Sequence, residues 1–199
     1  MLLKSNDIIH YNNATTGFTE ANRTNESITK VVLYWSFNAS KCNMTNTDNI
    51  KTCSLFDSPG VFRQMQSYGV LVNYYITPSG EIYKYVDDKN IAWSSGKLNP
   101  EVLAIRLGYL NDTWAGYLSN AMNAPDDQFN QPTPKQYRAL AKLLATMKLE
   151  WNHGIGEIMF YNQININFPD SRFNLECLKE ELHPYGLCVN NNNLTSCDP

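Results

Sequence analysis

Apolar residues along the chain fall into short runs that predict several β-strands. Residues 30–36 form one such run with β-branched side chains, which is typical of a buried strand. The segment from Val70 to Val86 holds two runs around Thr77-Pro78-Ser79-Gly80, and Pro and Gly at these positions favour a β-hairpin. Residues 102–110 and 156–161 predict two further strands.

Apolar residues at helical spacing predict three helices, the last of them a short one. Ser58 can cap the first helix, and Gly69 can end it. The second helix covers residues 133–151, where Thr133 is the N-cap and Gln136 completes a capping box. Its apolar stripe consists of Tyr137, Leu140, Ala141, Leu144, Met147 and Trp151.

The order of these elements predicts the fold class. Asn174 opens the third helix, so the chain runs strand, helix, hairpin, strand, long helix, strand, helix. Hairpin and crossover connections then occur together, which indicates an α/β fold with a mixed central β-sheet flanked by helices. Because the two ends are polar and rich in Asn, we expect an N-terminal arm over 1–29, a domain over 30–183 and a C-terminal tail over 184–199.

Composition excludes several classes of protein. The 199 residues are 43% hydrophobic and 18% charged, which is typical of a folded chain rather than a disordered one. A net charge of −3 argues against a nucleic-acid partner. No apolar run approaches the roughly 20 residues that a membrane-spanning helix needs.

The five cysteines leave the redox state open. Cys42 and Cys53 could close one short loop, Cys188 and Cys197 could close another, and Cys177 would remain unpaired. Five reduced thiols are the alternative. None of the spacings is the Cys-x-x-Cys pattern of a cysteine zinc site.

Several motifs together resemble the zinc-dependent N-acetylmuramoyl-L-alanine amidases and the related peptidoglycan recognition proteins. The predicted hairpin is similar to the family's central hairpin, and Ala92-Trp93-Ser94-Ser95-Gly96 resembles its Ala-Trp-His-Ala-Gly stretch. Thr133-Pro134 with Gln136 matches the start of its long helix, and Gly156-Glu157-Ile158 matches the end of its Gly-His-Ser-Glu-Ile strand. The resemblance covers about residues 30–182 and implies an amidase-like single domain.

The resemblance also implies where a metal would be held. Family enzymes bind one zinc ion with two histidines and an Asp or Cys, and the metal polarises the scissile amide and activates a water. In this chain Tyr34 corresponds to the first histidine, Ile155 to the second and Arg106 to a nearby glutamate, so that only Asp170 could be a ligand. We therefore expect no metal, no cofactor and no catalytic residues.

What remains at the corresponding cleft is aromatic and polar, which suits a glycan strand or a stem peptide. The expected substrate-binding residues are Tyr34, Trp35, Asn73, Trp93, Ser94 and Arg106. The first hypothesis is thus a catalytically inactive domain that binds peptidoglycan or serves as a structural or adhesion component, for example of a phage or virus particle. The expected partner is a peptidoglycan fragment or another protein of an assembly, and an extracellular or virion-associated location is favoured over a cytoplasmic one.

Two alternatives remain open from the sequence. One is an active amidase with rearranged ligands, for which His153, His183 and Asp170 are candidates. The other is a protein-interaction module whose inherited cleft is filled by side chains.

Overall fold

The computed structural model describes most of the two terminal segments, the central hairpin and the long helix. The described residues are 1–11, 13–35, 58–94, 100–108, 132–161 and 173–197. The strands in them are β1 (Ile8–His10), β2 (Phe18–Thr19), β3 (Lys30–Trp35), β4 (Tyr74–Ile76), β5 (Ile82–Lys84), β6 (Ile91–Ala92), β7 (Val102–Leu107), β8 (Glu157–Phe160), β9 (Leu187–Asn190) and β10 (Asn193–Ser196). The helices are α1 (Ser58–Ser67), α2 (Pro134–Leu149) and α3 (Leu175–Leu182), with short 3-10 turns at Ser5–Asp7, Asn25–Ser27 and His183–Tyr185.

Within the described residues, eight of the strands form one mixed sheet in the order β1-β5-β4-β7-β3-β8-β10-β9. The central strands β4, β7, β3 and β8 run parallel to one another, as crossover connections require. The β4–β5 hairpin and the β9–β10 hairpin add antiparallel pairs. Strands β2 and β6 form a separate two-stranded sheet. The predicted α/β class with a mixed central sheet is confirmed.

One side of the sheet, the α2 face, is covered by the long helix. Val31 and Leu33 of β3 and Ile105 of β7 are buried there together with Leu140 and Leu144 of α2. These residues alternate along each strand, and the helix presents one apolar stripe to them. Burial of five residues confirms that this stripe belongs to the core: Tyr137, Leu140, Ala141, Leu144 and Met147. Trp151, which was predicted as part of the stripe, lies two residues beyond the end of α2 and is only partly buried.

The opposite side, the α1 face, has a second hydrophobic cluster. Val32 and Tyr34 of β3 and Ala104 of β7 are buried there with Phe62 and Met65 of α1. Because successive side chains of a strand point to opposite faces, alternate apolar residues of β3 and β7 belong to this cluster. Near the carboxyl ends of these strands, successive side chains therefore point alternately to the α1 face and to the α2 face.

The capping box predicted for the long helix is confirmed, and it reaches into the sheet. Thr133 Oγ1 accepts a hydrogen bond from Gln136 N (3.1 Å), and Gln136 Oε1 accepts one from Thr133 N (2.9 Å). The Gln136 amide also donates to the carbonyl oxygens of Ile76 (3.1 Å) and Gly108 (2.6 Å). The start of α2 is thus tied to the carboxyl ends of β4 and β7.

Both terminal segments take part in the sheets, which the polar pattern of the sequence did not predict. Strand β1 extends the main sheet beside β5, and β2 pairs with β6. Residues 187–196 form the β9–β10 hairpin, whose turn holds Asn191 and Asn192 at positive φ. The Cys188–Cys197 disulfide links its strands, as one of the two possible pairings predicted, whereas Cys42 and Cys53 lie outside the described residues.

No helix in the described segments combines the length and the apolar character that a membrane crossing would need.

Candidate functional site

Five side chains lie in register across five neighbouring strands near the carboxyl end of β3. Tyr83 pairs with Tyr75, Tyr75 with Arg106, and Arg106 with Tyr34. Tyr161 follows directly after the last β3–β8 pair, Leu33–Phe160, and so continues the series. We call Tyr83, Tyr75, Arg106, Tyr34 and Tyr161 the tyrosine row. It lies on the α1 face of the sheet, because its tyrosines belong to the cluster there.

The ring pair Tyr34–Tyr161 lies at one end of the tyrosine row. The two ring centroids are 4.5 Å apart with an angle of 31° between the ring planes. Tyr34 is only 8% exposed, whereas Tyr161 is half-buried. The two rings therefore fill the space between the ends of β3 and β8, and Tyr161 forms part of the surface.

The match of Ile155 with the second zinc-binding histidine is corrected by this register. Two ligands of one ion must face the same point, but Ile155 is fully buried in the cluster of the α2 face, away from Tyr34. The residue that faces Tyr34 is Tyr161, which directly follows β8. The match of Gly156-Glu157-Ile158 with the family motif placed the second histidine position at Ile155. The pairing of β3 with β8 shows that this alignment is out of register.

The residues at this position do not fit a zinc site of the family's kind. Zinc in proteins is held by Cys, His, Asp or Glu, and both facing positions are tyrosines. Arg106, which pairs with Tyr34, adds a permanent positive charge that repels a cation. Among the described residues no group of three His, Cys, Asp or Glu side chains could hold a metal ion, and Asp170 lies outside these residues.

Asn73 is fully buried, and backbone groups engage its side chain. Its Oδ1 accepts a hydrogen bond from Ala104 N (3.1 Å), and its Nδ2 lies 3.5 Å from the Val86 carbonyl and 3.4 Å from that of Asp87. Its own carbonyl accepts from Tyr85 N (2.9 Å). Asn73 thus joins the start of β4 to β7 and to the segment after β5, and the structure gives it a positioning role there.

Trp93 and Ser94 follow β6 on the side of the two-stranded sheet. Trp93 is 48% exposed, and its indole N–H donates to Thr19 Oγ1 at 2.6 Å. The Ser94 hydroxyl oxygen is buried, with no hydrogen-bond partner in the described part of the chain. For Trp35 the backbone pairs with Leu107, but its side chain lies outside the described set. Of the expected site residues, the structure brings Tyr34 and Arg106 into direct register.

His153 lies in a buried polar cluster on the other side of the fold. Its Nε2 is 3.3 Å from Asp88 Oδ2, an oxygen that also accepts from the Tyr74 hydroxyl (2.8 Å) and lies 3.2 Å from Lys84 Nζ. The His153 side chain has no exposed surface, whereas His183 is exposed. His153 therefore contributes to this cluster, and the other candidate of the rearranged site, Asp170, lies outside the described residues.

Burial and side-chain contacts together determine the protonation of Asp88 and Tyr74 in this cluster. Burial alone would raise the pKa of Asp88, but the contacts with His153, Lys84 and Tyr74 outweigh it and lower the pKa. Burial, followed by the charge of Asp88, raises the pKa of Tyr74 well above its ordinary value, so that its hydroxyl stays protonated and donates. Three side chains thus approach Asp88 Oδ2, whereas Asp88 Oδ1 and the ring nitrogens of His153 are buried with no hydrogen-bond partner among the described residues.

The sheet, the covering helices and the strand-end site together define an amidase-like α/β domain. A model of the N-acetylmuramoyl-L-alanine amidase family matches residues 8–159, which is most of the chain. The chain therefore belongs to this peptidoglycan-related family. No curated protein sequence matches it at a significant level.

Solved structures share the fold at low sequence identity. The N-acetylmuramoyl-L-alanine amidase endolysin LysCS from Clostridium intestinale has 17% identity and a TM-score of 0.55, covering 92% of this chain and 97% of its own. A selenomethionine derivative of AmpD has 16% identity and a TM-score of 0.56, with coverages of 92% and 99%. The hydrolase AmiA from Staphylococcus aureus, solved with its ligand, has 12% identity and a TM-score of 0.54, with coverages of 92% and 84%.

Proposed function

We propose that this chain is a peptidoglycan-binding domain that has the amidase fold but does not perform zinc-dependent hydrolysis. The observation that carries the proposal is the ring contact between Tyr34 and Tyr161, whose ring centroids are 4.5 Å apart. Two aromatic rings occupy the facing strand ends where the resemblance implies two histidines. Without those ligands and with Arg106 alongside, the site lacks the means to activate a water through a metal.

The same residues suit the binding of a sugar or a peptide. Aromatic rings pack against the apolar faces of sugars and against amides, and a guanidinium donates several hydrogen bonds. Burial divides the roles within the tyrosine row. Tyr34 and Tyr75 are buried and support the surface from below, whereas Tyr83, Arg106 and Tyr161 are partly exposed and can contact a ligand. Trp93 offers a further exposed ring next to Ser94.

Replacing Trp93 by alanine should weaken the binding of insoluble peptidoglycan. Loss of an aromatic contact worth about 1 kcal/mol raises the Kd about fivefold. Cosedimentation of the full chain with purified peptidoglycan measures this change. Leu149→Ala is the matched control, because Leu149 is also 48% exposed but lies at the end of α2. We expect the control to bind as the unchanged chain does.

Experiments with the same purified peptidoglycan distinguish the proposal from the two alternatives, an active amidase and a protein-interaction module. Release of stem peptides from peptidoglycan by the unchanged chain, abolished by a chelator, would show an active amidase and contradict the proposal. Failure of the unchanged chain to sediment with peptidoglycan would contradict it as well and would favour a protein-interaction module.

A further inference from the structure

The N-terminal segment builds a small sheet beside the loop that follows β5. Phe18 pairs with Ala92 and Thr19 with Ile91, and Trp93 N donates to the Gly17 carbonyl (2.9 Å). Phe18 and Ala92 pack into the cluster of the α1 face, which fixes this sheet against the same side that carries the tyrosine row. The two-stranded sheet therefore has a fixed position on the α1 face, and its other surface is a stable part of the fold.

A polar pocket of about 410 Å³ lies at the end of this two-stranded sheet. Its lining residues are Glu20, Ala21, Asn22, Lys89 and Asn90. The wall is held in place by a hydrogen bond from Ala21 N to Asn90 Oδ1 (3.1 Å) and by one from Arg23 N to the Lys89 carbonyl (3.4 Å). Its volume lies in the range of small-molecule sites, but its lining is polar where such sites are mostly apolar.

The lining of the pocket favours a neutral, strongly hydrogen-bonding ligand. Glu20 and Lys89 are both exposed and carry opposite charges, so the pocket does not select for an anion or a cation. A carboxylate accepts hydrogen bonds, an ammonium group donates them, and the amides of Asn22 and Asn90 can do both. Sugar hydroxyl and acetamido groups need this mixture of donors and acceptors.

Trp93 lies on the same pair of strands as the pocket, opposite Gly17, and the pocket residues Glu20 and Asn90 lie just beyond the other end of the pair. Its indole N–H is bonded to Thr19 Oγ1, and Thr19 directly precedes the pocket residue Glu20. The bond limits the rotation of a ring that is 48% exposed. A fixed aromatic surface on the same small sheet as a polar pocket matches the two sides of a sugar ring, which has apolar C–H faces and a polar edge.

We propose that the pocket and Trp93 form an additional subsite for an N-acetylated hexosamine unit of a glycan strand. The ring of one sugar unit packs on Trp93, and the hydroxyl and acetamido groups of the next unit bond to Glu20, Lys89 and Asn22. This inference rests on the proposed function, because it adds a second binding site for the glycan part of peptidoglycan, separate from the tyrosine row.

The double variant Glu20→Gln/Lys89→Met tests the subsite and leaves the backbone contacts of the pocket in place. The control Glu180→Gln/Lys135→Met neutralises one charge of each sign at exposed positions of α3 and α2. Titration calorimetry of each full chain with the N-acetylglucosamine tetramer gives the Kd. We expect about a tenfold higher Kd for the pocket variant, equivalent to loss of about one charged hydrogen bond, and no change for the control.

Two results would overturn the subsite. One is an unchanged Kd in the pocket variant, and the other is no binding of the tetramer by the unchanged chain. If the unchanged chain still sediments with peptidoglycan in either case, only the subsite fails and the proposed function stands. If it does not sediment with peptidoglycan, the proposed function fails and the subsite fails with it.

Discussion

Asp88 joins side chains from three separate parts of the chain. Tyr74 begins β4, Lys84 ends β5 and His153 precedes β8, and all three approach the same carboxylate oxygen. A buried carboxylate that loses its partners or its charge destabilises a fold, because the remaining groups are left desolvated and unpaired. At the scale of single residues, this cluster is therefore a point of high sensitivity.

Asp88→Asn should lower the free energy of unfolding at pH 7 by about 3 kcal/mol, since it leaves Lys84 near a neutral amide. The lowered pKa of Asp88 also gives the effect a pH dependence. Its contribution is complete above the ordinary carboxyl pKa of about 3.9 and is lost as the pH falls through the lower pKa of the folded state. The difference between the two chains should thus shrink on acidification. Urea unfolding at a series of pH values measures it.

Asp87→Asn is the control for this measurement. Asp87 lies 3.7 Å from the same Lys84 Nζ, but its side chain is 58% exposed, so its loss should cost well under 1 kcal/mol. A loss of stability in Asp88→Asn that matches the control, or that stays constant down to pH 2, would contradict the role given to Asp88.

The partnership of His153 and Asp88 could not be predicted from the sequence. Sixty-five positions separate the two residues, and neither belongs to a motif that requires the other. The sequence allowed His153 as a candidate metal ligand because histidine is common in such sites. Only the fold, which brings the segment before β8 against the segment after β5, gives the residue its partner.

The amino end of α2 is the element on which the strand-end region depends. Gln136 is fully buried, and its amide bonds to the carbonyls of Ile76 and Gly108. The helix N-cap, Thr133, donates in addition to the Pro78 carbonyl (2.8 Å) in the turn of the β4–β5 hairpin. These bonds hold the ends of β4 and β7 in place, and β7 carries Arg106.

Gln136→Ala should lower the free energy of unfolding by about 3 kcal/mol. The change removes half of the capping box and leaves the buried Gly108 carbonyl without its side-chain donor. Chemical denaturation followed by circular dichroism gives the value. Lys135→Ala, at the exposed preceding position of the same helix turn, should change it by less than about 0.5 kcal/mol. Equal effects of the two substitutions would refute the bracing role of Gln136.

Elements with a helical periodicity or a capping signal were predicted well, whereas β1 and the β9–β10 hairpin were missed. Thr133, Gln136 and the apolar stripe predicted α2, and Asn174 predicted the start of α3, where its Oδ1 accepts from Glu176 N. Strand β1 has only three residues, and its place beside β5 depends on a distant hairpin. The β9–β10 hairpin did leave a signal, since Leu187, Val189 and Leu194 alternate with polar residues around an Asn-rich turn.

On the scale of the whole molecule, the family fold is retained, and under our proposal the strand-end site is altered. The family resemblance was enough to predict Tyr34 and Arg106 as candidate site residues. Tyr75 and Tyr161 could not be predicted, because their place in the tyrosine row depends on the register between strands. A fold supports many activities, so the side chains at the site and not the shape of the sheet decide what this member of the family does.

Zinc content is the most direct measure of whether this site departs from the enzymes of its family. The full chain, purified, incubated with excess zinc and freed of unbound metal, is analysed by inductively coupled plasma mass spectrometry. We predict far less than one zinc ion per chain, because tyrosines face each other where ligands would be needed. A stoichiometry of one tightly bound zinc per chain, accompanied by amidase activity that a chelator removes, would contradict the proposal.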